Sequence, residues 1–176
     1  MSTSTSYHHG DLRQAVLQKA GEILEKEGLE ALSLRELARR TGVSHNAPYR
    51  HFPDRESLLA ALVEEGFQML GEALKKRPRQ EMGEAYVEFA LARSARFRLM
   101  FGGHVTLEKR DRSAYEGLLA SFADLGEGAQ YAAAAAWAMV HGLSHLLLDG
   151  HFDGRDRKKF VRDVLSSVRF SAPRKP

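Results

Sequence analysis

The side chains best suited to contacting DNA are concentrated in one short stretch of the chain. Between Ser44 and Phe52 the sequence reads SHNAPYRHF, which is polar, rich in hydrogen-bond donors and aromatic. Asn can bond to adenine through two atoms, a His ring can donate or accept, and an Ala methyl can meet a thymine methyl. A helix that only packs against a core needs no such set. The stretch therefore predicts a helix that meets DNA.

The residues before this stretch predict the element that positions it. Ser33 and Glu36 have the spacing of a capping box, in which the Ser side chain accepts from the Glu amide and the Glu reaches back to the Ser amide. Gly42 supplies the positive φ that such a corner needs, and Ser44 is a candidate N-cap for the next helix. The pattern predicts two short helices joined by a tight turn within residues 33–52.

Positive charge is focused on the same region. Residues 31–55 contain five Arg against Glu36 and Asp54, whereas residues 11–30 contain three basic and five acidic residues. A face that binds a polyanion requires such focusing. A mixed, solvated surface can give the same excess, so the charge alone is weak evidence.

Composition argues against several other functions. The 176 residues contain no Cys, which removes disulfides, thiol catalysis and thiolate metal sites and fits an intracellular protein. The N-terminus has no apolar run, so no signal peptide is predicted. His141 and His145 have a spacing compatible with a metal ion, but no Cys or carboxylate completes a site. We predict neither a metal nor a cofactor.

Apolar residues recur at spacings of three and four through most of the chain, which predicts an all-α fold. The segment 129–148 has no Asp, Glu, Lys or Arg, but its Ala content makes it weakly hydrophobic for a membrane span. We predict a helix buried by protein there, and no membrane. Residues 1–8 predict a mobile arm. Beyond the two short helices, helices are predicted at 10–27, 55–76, 80–93, 95–101, 111–125, 129–148 and 156–170.

The order of these features resembles the tetracycline-repressor (TetR/AcrR) family of bacterial transcriptional regulators. The first helix runs into EGLEALSLRELARR, which is followed by Gly42-Val43-Ser44 and Tyr49-Arg50-His51-Phe52. After a turn comes Arg55-Glu56-x-Leu58-Leu59. Farther along, Trp137-x-x-x-His141-Gly142 resembles the Trp-His-Gly feature of one branch of the family's C-terminal domains.

The resemblance implies a cytoplasmic repressor that binds double-stranded DNA. A three-helix helix-turn-helix domain with its N-terminal arm would occupy residues 1–54. A long fourth helix would join it to a helical ligand-binding and dimerisation domain, together 55–176. Each chain of a homodimer would offer one motif to the major groove of a palindromic operator. The residues placed at base edges are Ser44, His45, Asn46, Ala47 and Arg35, and those placed on the DNA backbone are Ser33, Tyr49, Arg50, His51 and Arg55.

Pro48 departs from the family pattern, which has an aliphatic residue at this position in many members. Proline lacks the amide that would make an early hydrogen bond of the second motif helix. It also biases the preceding residue, Ala47, away from the α region. We therefore expect this helix to start irregularly, as a 3₁₀ turn.

The second half of the chain predicts a dimer interface and, by resemblance, an effector pocket. The small residues 132–136 let another helix approach closely, so segments 131–148 and 158–170 are predicted to pair across a two-fold axis. An intrachain core explains the same pattern. Ring faces with a few polar tips suit a small, mostly apolar effector. The pocket candidates are Met69, Tyr86, Phe89, Phe97, Met100, Phe101, Tyr115, Phe122, Trp137 and His141.

Two other functions compete with a ligand-responsive repressor. An enzyme would need a nucleophile, a base and an orienting group, and the sequence offers no such set. His104, after two glycines, is the most plausible lone catalytic residue. A helical module that kept the motif only as a scaffold is supported by Pro48 alone.

Overall fold

The computed structural model describes residues 9–105 and 112–171, and these residues form helices and turns without a strand. The all-α prediction is therefore confirmed. The predicted arm 1–8, the start of the helix predicted from 111 and the tail 172–176 lie outside the described residues. The α-helices are α1 (His9–Glu27), α2 (Leu34–Thr41), α3 (Arg55–Leu74), α4 (Arg79–Ala92), α5 (Ser94–Phe101), α6 (Ser113–Ala120), α7 (Ala129–Leu148) and α8 (Arg157–Ser167), and short 3₁₀ helices lie at Leu29–Ala31, Pro48–Arg50 and Ala123–Gly128.

The chain divides into two compact units. The first comprises Met1–Gly66 and Ala95–Lys109, and the second comprises Phe67–Ser94 and Arg110–Pro176. The division falls inside α3 and places α5 with the first unit. The domain boundary predicted between residues 54 and 55 stays a prediction.

The first unit is built around the apolar face of α1. Its apolar residues recur every three or four positions, so they share one face of the helix and are buried together. The helix ends at Glu27 because Gly28 adopts a φ of 84° and donates its amide to the Leu24 carbonyl at 3.1 Å. The buried side chains include Val16, Ala20, Ile23, Leu24, Leu37, Phe52, Leu58, Leu62 and Phe97.

In the second unit, α4 packs against α7 and α8, and α6 packs against α7. Gly83 allows this close packing, because a Cβ atom there would lie 3.0 Å from a Leu165 methyl and 3.4 Å from a Val140 methyl. Part of the alanine run predicted to meet another chain is used inside this unit. Ala132, Ala133 and Ala136 are buried together with Phe122.

Two helices in the second unit differ from their predicted limits. The helix predicted at 111–125 is shorter, because α6 ends at Ala120 and Phe122, with φ −105° and ψ 13°, leaves the helical conformation before the 3₁₀ helix Ala123–Gly128. The last helix begins after Asp156, whose side chain accepts from the Lys159 amide at 3.1 Å, so the predicted cap is confirmed. It ends at Ser167 because Val168 is extended.

Among the described residues, one segment is long and apolar enough to cross a membrane. It runs from Ala123 to Leu148, with a mean hydropathy of 1.2 over its most apolar window, of which 39% is buried. The core helix of a soluble protein meets the same criterion. The segment is therefore weak evidence for a membrane span.

Candidate nucleic-acid interface and aromatic cluster

The helix α2 is held at both ends by the residues that its sequence predicts. Ser33 is extended, with φ −144° and ψ 148°, and its Oγ accepts from the Glu36 amide at 3.2 Å. At the other end Gly42 is left-handed, with φ 70°, and the Val43 amide donates to the Ala38 carbonyl at 3.1 Å. The predicted N-cap and the glycine corner are therefore confirmed.

The Glu36 carboxylate has partners that the capping-box pattern did not predict. It accepts from Arg39 at 2.6 and 2.9 Å and from Arg40 Nε at 2.5 Å, instead of reaching back to Ser33. Arg40 also pairs with Glu27 at the end of α1. Hydrogen bonds from Arg39 and then Arg40 lower the pKa of Glu36 to about 2. This network joins α2 to α1.

The segment that follows, residues 44–51 (hereafter the reading segment), contains no α-helix. The Ala47 amide donates to the Ser44 carbonyl at 2.9 Å, and Pro48 begins a 3₁₀ helix. The His51 and Phe52 amides both donate to the Pro48 carbonyl, at 3.0 and 2.9 Å. The 3₁₀ geometry expected at Pro48 is therefore confirmed, but the predicted second helix is wrong, because no α-helical turn follows Arg50 before α3. The predicted N-cap role of Ser44 is wrong as well, since the 3₁₀ helix has no side-chain cap.

One expectation about Pro48 was wrong. Ala47 adopts φ −63° and ψ −45°, so it stays in the α region. A following proline disfavours this region without forbidding it. Here the turn bond between Ala47 and Ser44 and the burial of Pro48 hold the conformation. Ser44 contributes its carbonyl to this turn.

The polar side chains of the reading segment cluster on the surface. Ser44, His45, Asn46, Tyr49 and Arg50 are exposed, and Ala47 is partly exposed. His45 Nδ1 lies 3.2 Å from Asn46 Oδ1, which makes this nitrogen a donor when it carries the proton. The rings of His45 and Tyr49 lie 5.7 Å apart. His45 therefore lies beside both Asn46 and Tyr49.

The arginines near the reading segment fall into two groups. Arg39 and Arg40 are paired with carboxylates, and Arg55 donates to the carbonyls of Leu29 at 2.8 Å and Leu32 at 3.2 Å. Arg35 and Arg50 are exposed, and they form no ion pair within residues 9–105 and 112–171. Of the five arginines counted in residues 31–55, only Arg35 and Arg50 are therefore exposed without an ion pair or carbonyl partner among the described residues.

Two further features lie at this corner of the first unit. His51 Nε2 is buried and has no hydrogen-bond partner among the described residues. The Arg13 guanidinium lies 5.3 Å from the centre of the Phe52 ring, which brings an exposed positive charge of α1 to the end of the reading segment. Arg13 was not among the predicted site residues. No local pattern could have identified it, because it lies 39 positions before Phe52 in the chain.

In the second unit the structure brings together four of the predicted pocket residues. Tyr86 Oη accepts from Trp137 Nε1 at 3.2 Å and lies 2.9 Å from His141 Nδ1. Tyr115 lies against Trp137 with ring centres 5.6 Å apart. We call Tyr86, Tyr115, Trp137 and His141 the aromatic cluster.

Burial shapes the ionisation of this cluster. It raises the pKa of the Tyr86 hydroxyl to about 12. Burial, with a smaller contribution from nearby His145, lowers the pKa of His141. Both effects favour the neutral forms near pH 7. A neutral His141 can accept the Tyr86 proton at Nδ1, while Tyr86 accepts from Trp137.

The other pocket candidates lie elsewhere. Phe122 belongs to the core beside Ala132 and Ala133, Phe89 is buried in α4, and Met69 is half-buried in the part of α3 that belongs to the second unit. The remaining three belong to α5 in the first unit. These are Phe97, Met100 and Phe101.

No group of three or more His, Asp or Glu suited to a metal ion occurs in the part of the chain that the structure describes. His141 and His145 do lie together, with ring centres 4.8 Å apart.

Comparison with known proteins assigns both halves of the chain to one family. Residues 16–62 match the profile of bacterial regulatory proteins of the tetR family, and residues 80–168 match the tetracyclin repressor-like C-terminal domain. The tetracycline repressor protein class C of Escherichia coli is 46% identical over 52 residues, which cover 30% of this chain and 24% of that protein.

Two relatives match over most of their length. An uncharacterized HTH-type transcriptional regulator of Mycobacterium tuberculosis, Rv0681, is 27% identical over 169 residues, covering 87% of this chain and 78% of that protein. A solved structure of a protein of unknown function from Rhodococcus sp. RHA1 is 33% identical with a TM-score of 0.79, covering 93% of this chain and 96% of that one. The chain belongs to the TetR family of helix-turn-helix transcriptional regulators, and it is not an enzyme.

Proposed function

We propose that this regulator is a cytoplasmic repressor that binds a palindromic operator as a homodimer and is released by a small, mostly apolar effector. The observation that carries the proposal is the reading segment. It exposes a His that lies beside both an Asn and a Tyr, and two exposed arginines, Arg35 and Arg50, form no ion pair among the described residues. Such a surface can form hydrogen bonds with bases and phosphates, whereas packing against a core requires no such side chains.

In this proposal the exposed polar residues at the start of the reading segment face the base edges. Asn46 reads a base through its amide, and its contact with His45 fixes the orientation of that amide. Arg35, which is exposed on α2, is proposed to reach a base edge as well. The residues proposed at base edges are Ser44, His45, Asn46, Ala47 and Arg35.

The proposed backbone contacts surround this group. Tyr49 and Arg50 are exposed on the 3₁₀ helix, and Ser33 lies at the N-terminus of α2, where the helix dipole favours a phosphate. We rank Arg50 above Arg55 as a phosphate contact, because the Arg55 guanidinium is already bonded to two carbonyls. His51 completes the proposed set.

The proposal of a homodimer rests on the exposed face of α7. Ala134, Ala135, Ala138 and Gly142 share this face, and the helix has no Asp, Glu, Lys or Arg. The larger exposed residues on the helix include Tyr131, 60% exposed, and Leu146, 42% exposed. Small side chains let a second helix approach closely, and a two-fold axis brings the same face of two copies together.

The aromatic cluster supports the effector part of the proposal. Its rings offer apolar faces, and burial favours the neutral forms of Tyr86 and His141 near pH 7. Trp137 is 39% exposed, so a molecule can reach the cluster from the surface of the second unit. A ligand that prefers a conformer with the wrong half-site spacing weakens operator binding by its differential affinity.

Fluorescence anisotropy with the DNA upstream of the gene itself tests the DNA-binding part. We expect the protein to bind this duplex more tightly than a scrambled duplex, with an affinity that falls as salt is added. Asn46→Ala should reduce the ratio of the two affinities. Equal affinity for both duplexes at low and moderate salt would rule out an operator.

Sedimentation of Ala138→Arg tests the dimer. The charge on the α7 face should give monomers, whereas Ala92→Arg, at the exposed end of α4, should leave the dimer intact. Dimers in both variants would place the interface elsewhere.

A further inference from the structure

The helix α5 is separated in sequence from the DNA-binding motif, yet it belongs to the same compact unit. We propose that α5 is a working part of the DNA-binding unit and that Arg96 is a positioning residue, holding α1 and α3 at the relative position in which the reading segment binds the operator. This inference rests on the proposed function.

Arg96 contacts both helices at once. Its side chain is buried, and Nη1 donates to Glu65 Oε2 at 2.6 Å and to the Leu62 carbonyl at 3.3 Å, both on α3. Its Nη2 lies against Gly21 in the middle of α1. A buried guanidinium needs such partners, because an unpaired charge in the interior is costly. One side chain therefore bridges α1 and α3.

Two helical glycines make room for this arrangement. A Cβ atom at Gly21 would lie 2.2 Å from Arg96 Nη2, and one at Gly66 would lie 2.7 Å from Met100 Sδ and 3.3 Å from Arg96 Cδ. Glycine within a helix is less favourable than alanine. The close approach of α5 explains why α1 and α3 carry glycine at these positions.

The backbone of α5 is fastened to α1 as well. The Glu25 carboxylate accepts from the Ala95 amide at 3.2 Å and from the Arg96 amide at 3.0 Å. These amides stand in the first turn of α5, where the helix itself supplies no acceptor. Glu25 thus accepts hydrogen bonds from the first backbone amides of α5, while the Arg96 side chain holds α5 against α1 and α3.

The reading segment is sensitive to the relative position of α1 and α3. On one side it follows α2, which the pair of Arg40 with Glu27 ties to α1. On the other side it runs directly into α3, whose first residue, Arg55, is bonded to the Leu29 and Leu32 carbonyls. A shift between α1 and α3 therefore displaces or distorts the reading segment. Arg96 opposes that shift without touching DNA.

The test uses Gly21→Ala in the full-length protein, alone and combined with Arg96→Lys. The added methyl collides with Arg96 Nη2, whereas a lysine lacks this atom and can still pair with Glu65. We expect Gly21→Ala to accelerate hydrogen exchange at residues 95–101 and to weaken operator binding about tenfold, as coupling between contacting residues allows. The slope of affinity against salt should not change, because no phosphate contact is lost.

The double variant should recover most of the affinity and the slow exchange. The matched control is Gly117→Ala, since a Cβ at this helical glycine of α6 meets nothing within 4 Å. It should leave operator affinity unchanged. Additive losses in the double variant, or the same result for Gly21→Ala and Gly117→Ala, would overturn the proposal. If the wild-type protein binds no operator, the proposed function and the positioning role both fail, and hydrogen exchange still reports whether Arg96 holds α5.

Discussion

Arg50 and Arg55 carry the same charge five positions apart, but their guanidinium groups have different surroundings. Arg50 is exposed without an ion pair among the described residues, and Arg55 donates to the Leu29 and Leu32 carbonyls. We predict that Arg50→Ala removes a phosphate contact. Arg55→Ala should remove the two hydrogen bonds to carbonyls of the first unit and leave the number of phosphate contacts unchanged.

The two changes differ most clearly in the salt dependence of binding. Each lost phosphate contact lowers the slope of log affinity against log salt by about 0.9, so a dimer with two copies of Arg50→Ala loses about 1.8. When salt is raised from about 50 to about 200 mM, the affinity of Arg50→Ala should therefore fall by a factor about 12-fold smaller than the factor for the wild-type protein. Arg55→Ala should keep the wild-type slope and lower stability by about 1–2 kcal/mol, since two hydrogen bonds are lost.

Anisotropy titrations at four salt concentrations, with thermal melts of the same samples, measure both quantities. Arg35→Ala extends the comparison to the other exposed arginine. The reasoning is refuted if Arg55→Ala flattens the salt dependence while Arg50→Ala leaves it intact. In that case the hydrogen bonds of Arg55 break when DNA binds, and this side chain contacts phosphate after all.

Three further predictions concern stability and pH. Gly42→Ala forces a side chain into a left-handed conformation, so it should cost about 1–2 kcal/mol and lower the melting temperature by several degrees, measured by circular dichroism. Tyr86→Phe should cost about 1–3 kcal/mol in urea unfolding, because the hydrogen bonds of Tyr86 Oη with Trp137 Nε1 and with His141 Nδ1 are both lost. The pKa of Glu36 falls to about 2 in the folded state. Ionised Glu36 therefore contributes fully to the free energy of unfolding above its ordinary pKa, and this contribution is lost as the pH falls towards 2. Glu36→Gln should therefore reduce the acid-induced loss of stability between about pH 4.5 and 2, and an unchanged profile would contradict this.

Features that depend on neighbouring residues could be predicted from the sequence. The Ser33 cap involves an amide three positions away, and Gly42 ends its own helix. Pro48 imposes a 3₁₀ start through its missing amide. In each case the cause and the effect lie within one or two turns of chain, so local chemistry determines the outcome.

Features that depend on tertiary packing could not be predicted. The carbonyl partners of Arg55 lie 23 and 26 positions away, and the partner of Arg40 on α1 lies 13 positions away. Phe97 was predicted as a pocket residue of the second half of the chain, but it is buried in the first unit. The predicted pocket residues lie in two different units for the same reason. Periodicity identifies the apolar face of a helix but does not identify the helix that packs against it.

The most direct test of sequence-selective DNA binding by this chain is a competition titration. Purified wild-type protein is bound to a labelled duplex from upstream of its own gene, and unlabelled specific and scrambled duplexes compete at about 150 mM salt. Specific recognition predicts that the scrambled duplex competes at least about 1,000-fold more weakly. Equal competition by the two duplexes would contradict the account and would leave the reading segment as a scaffold without an operator.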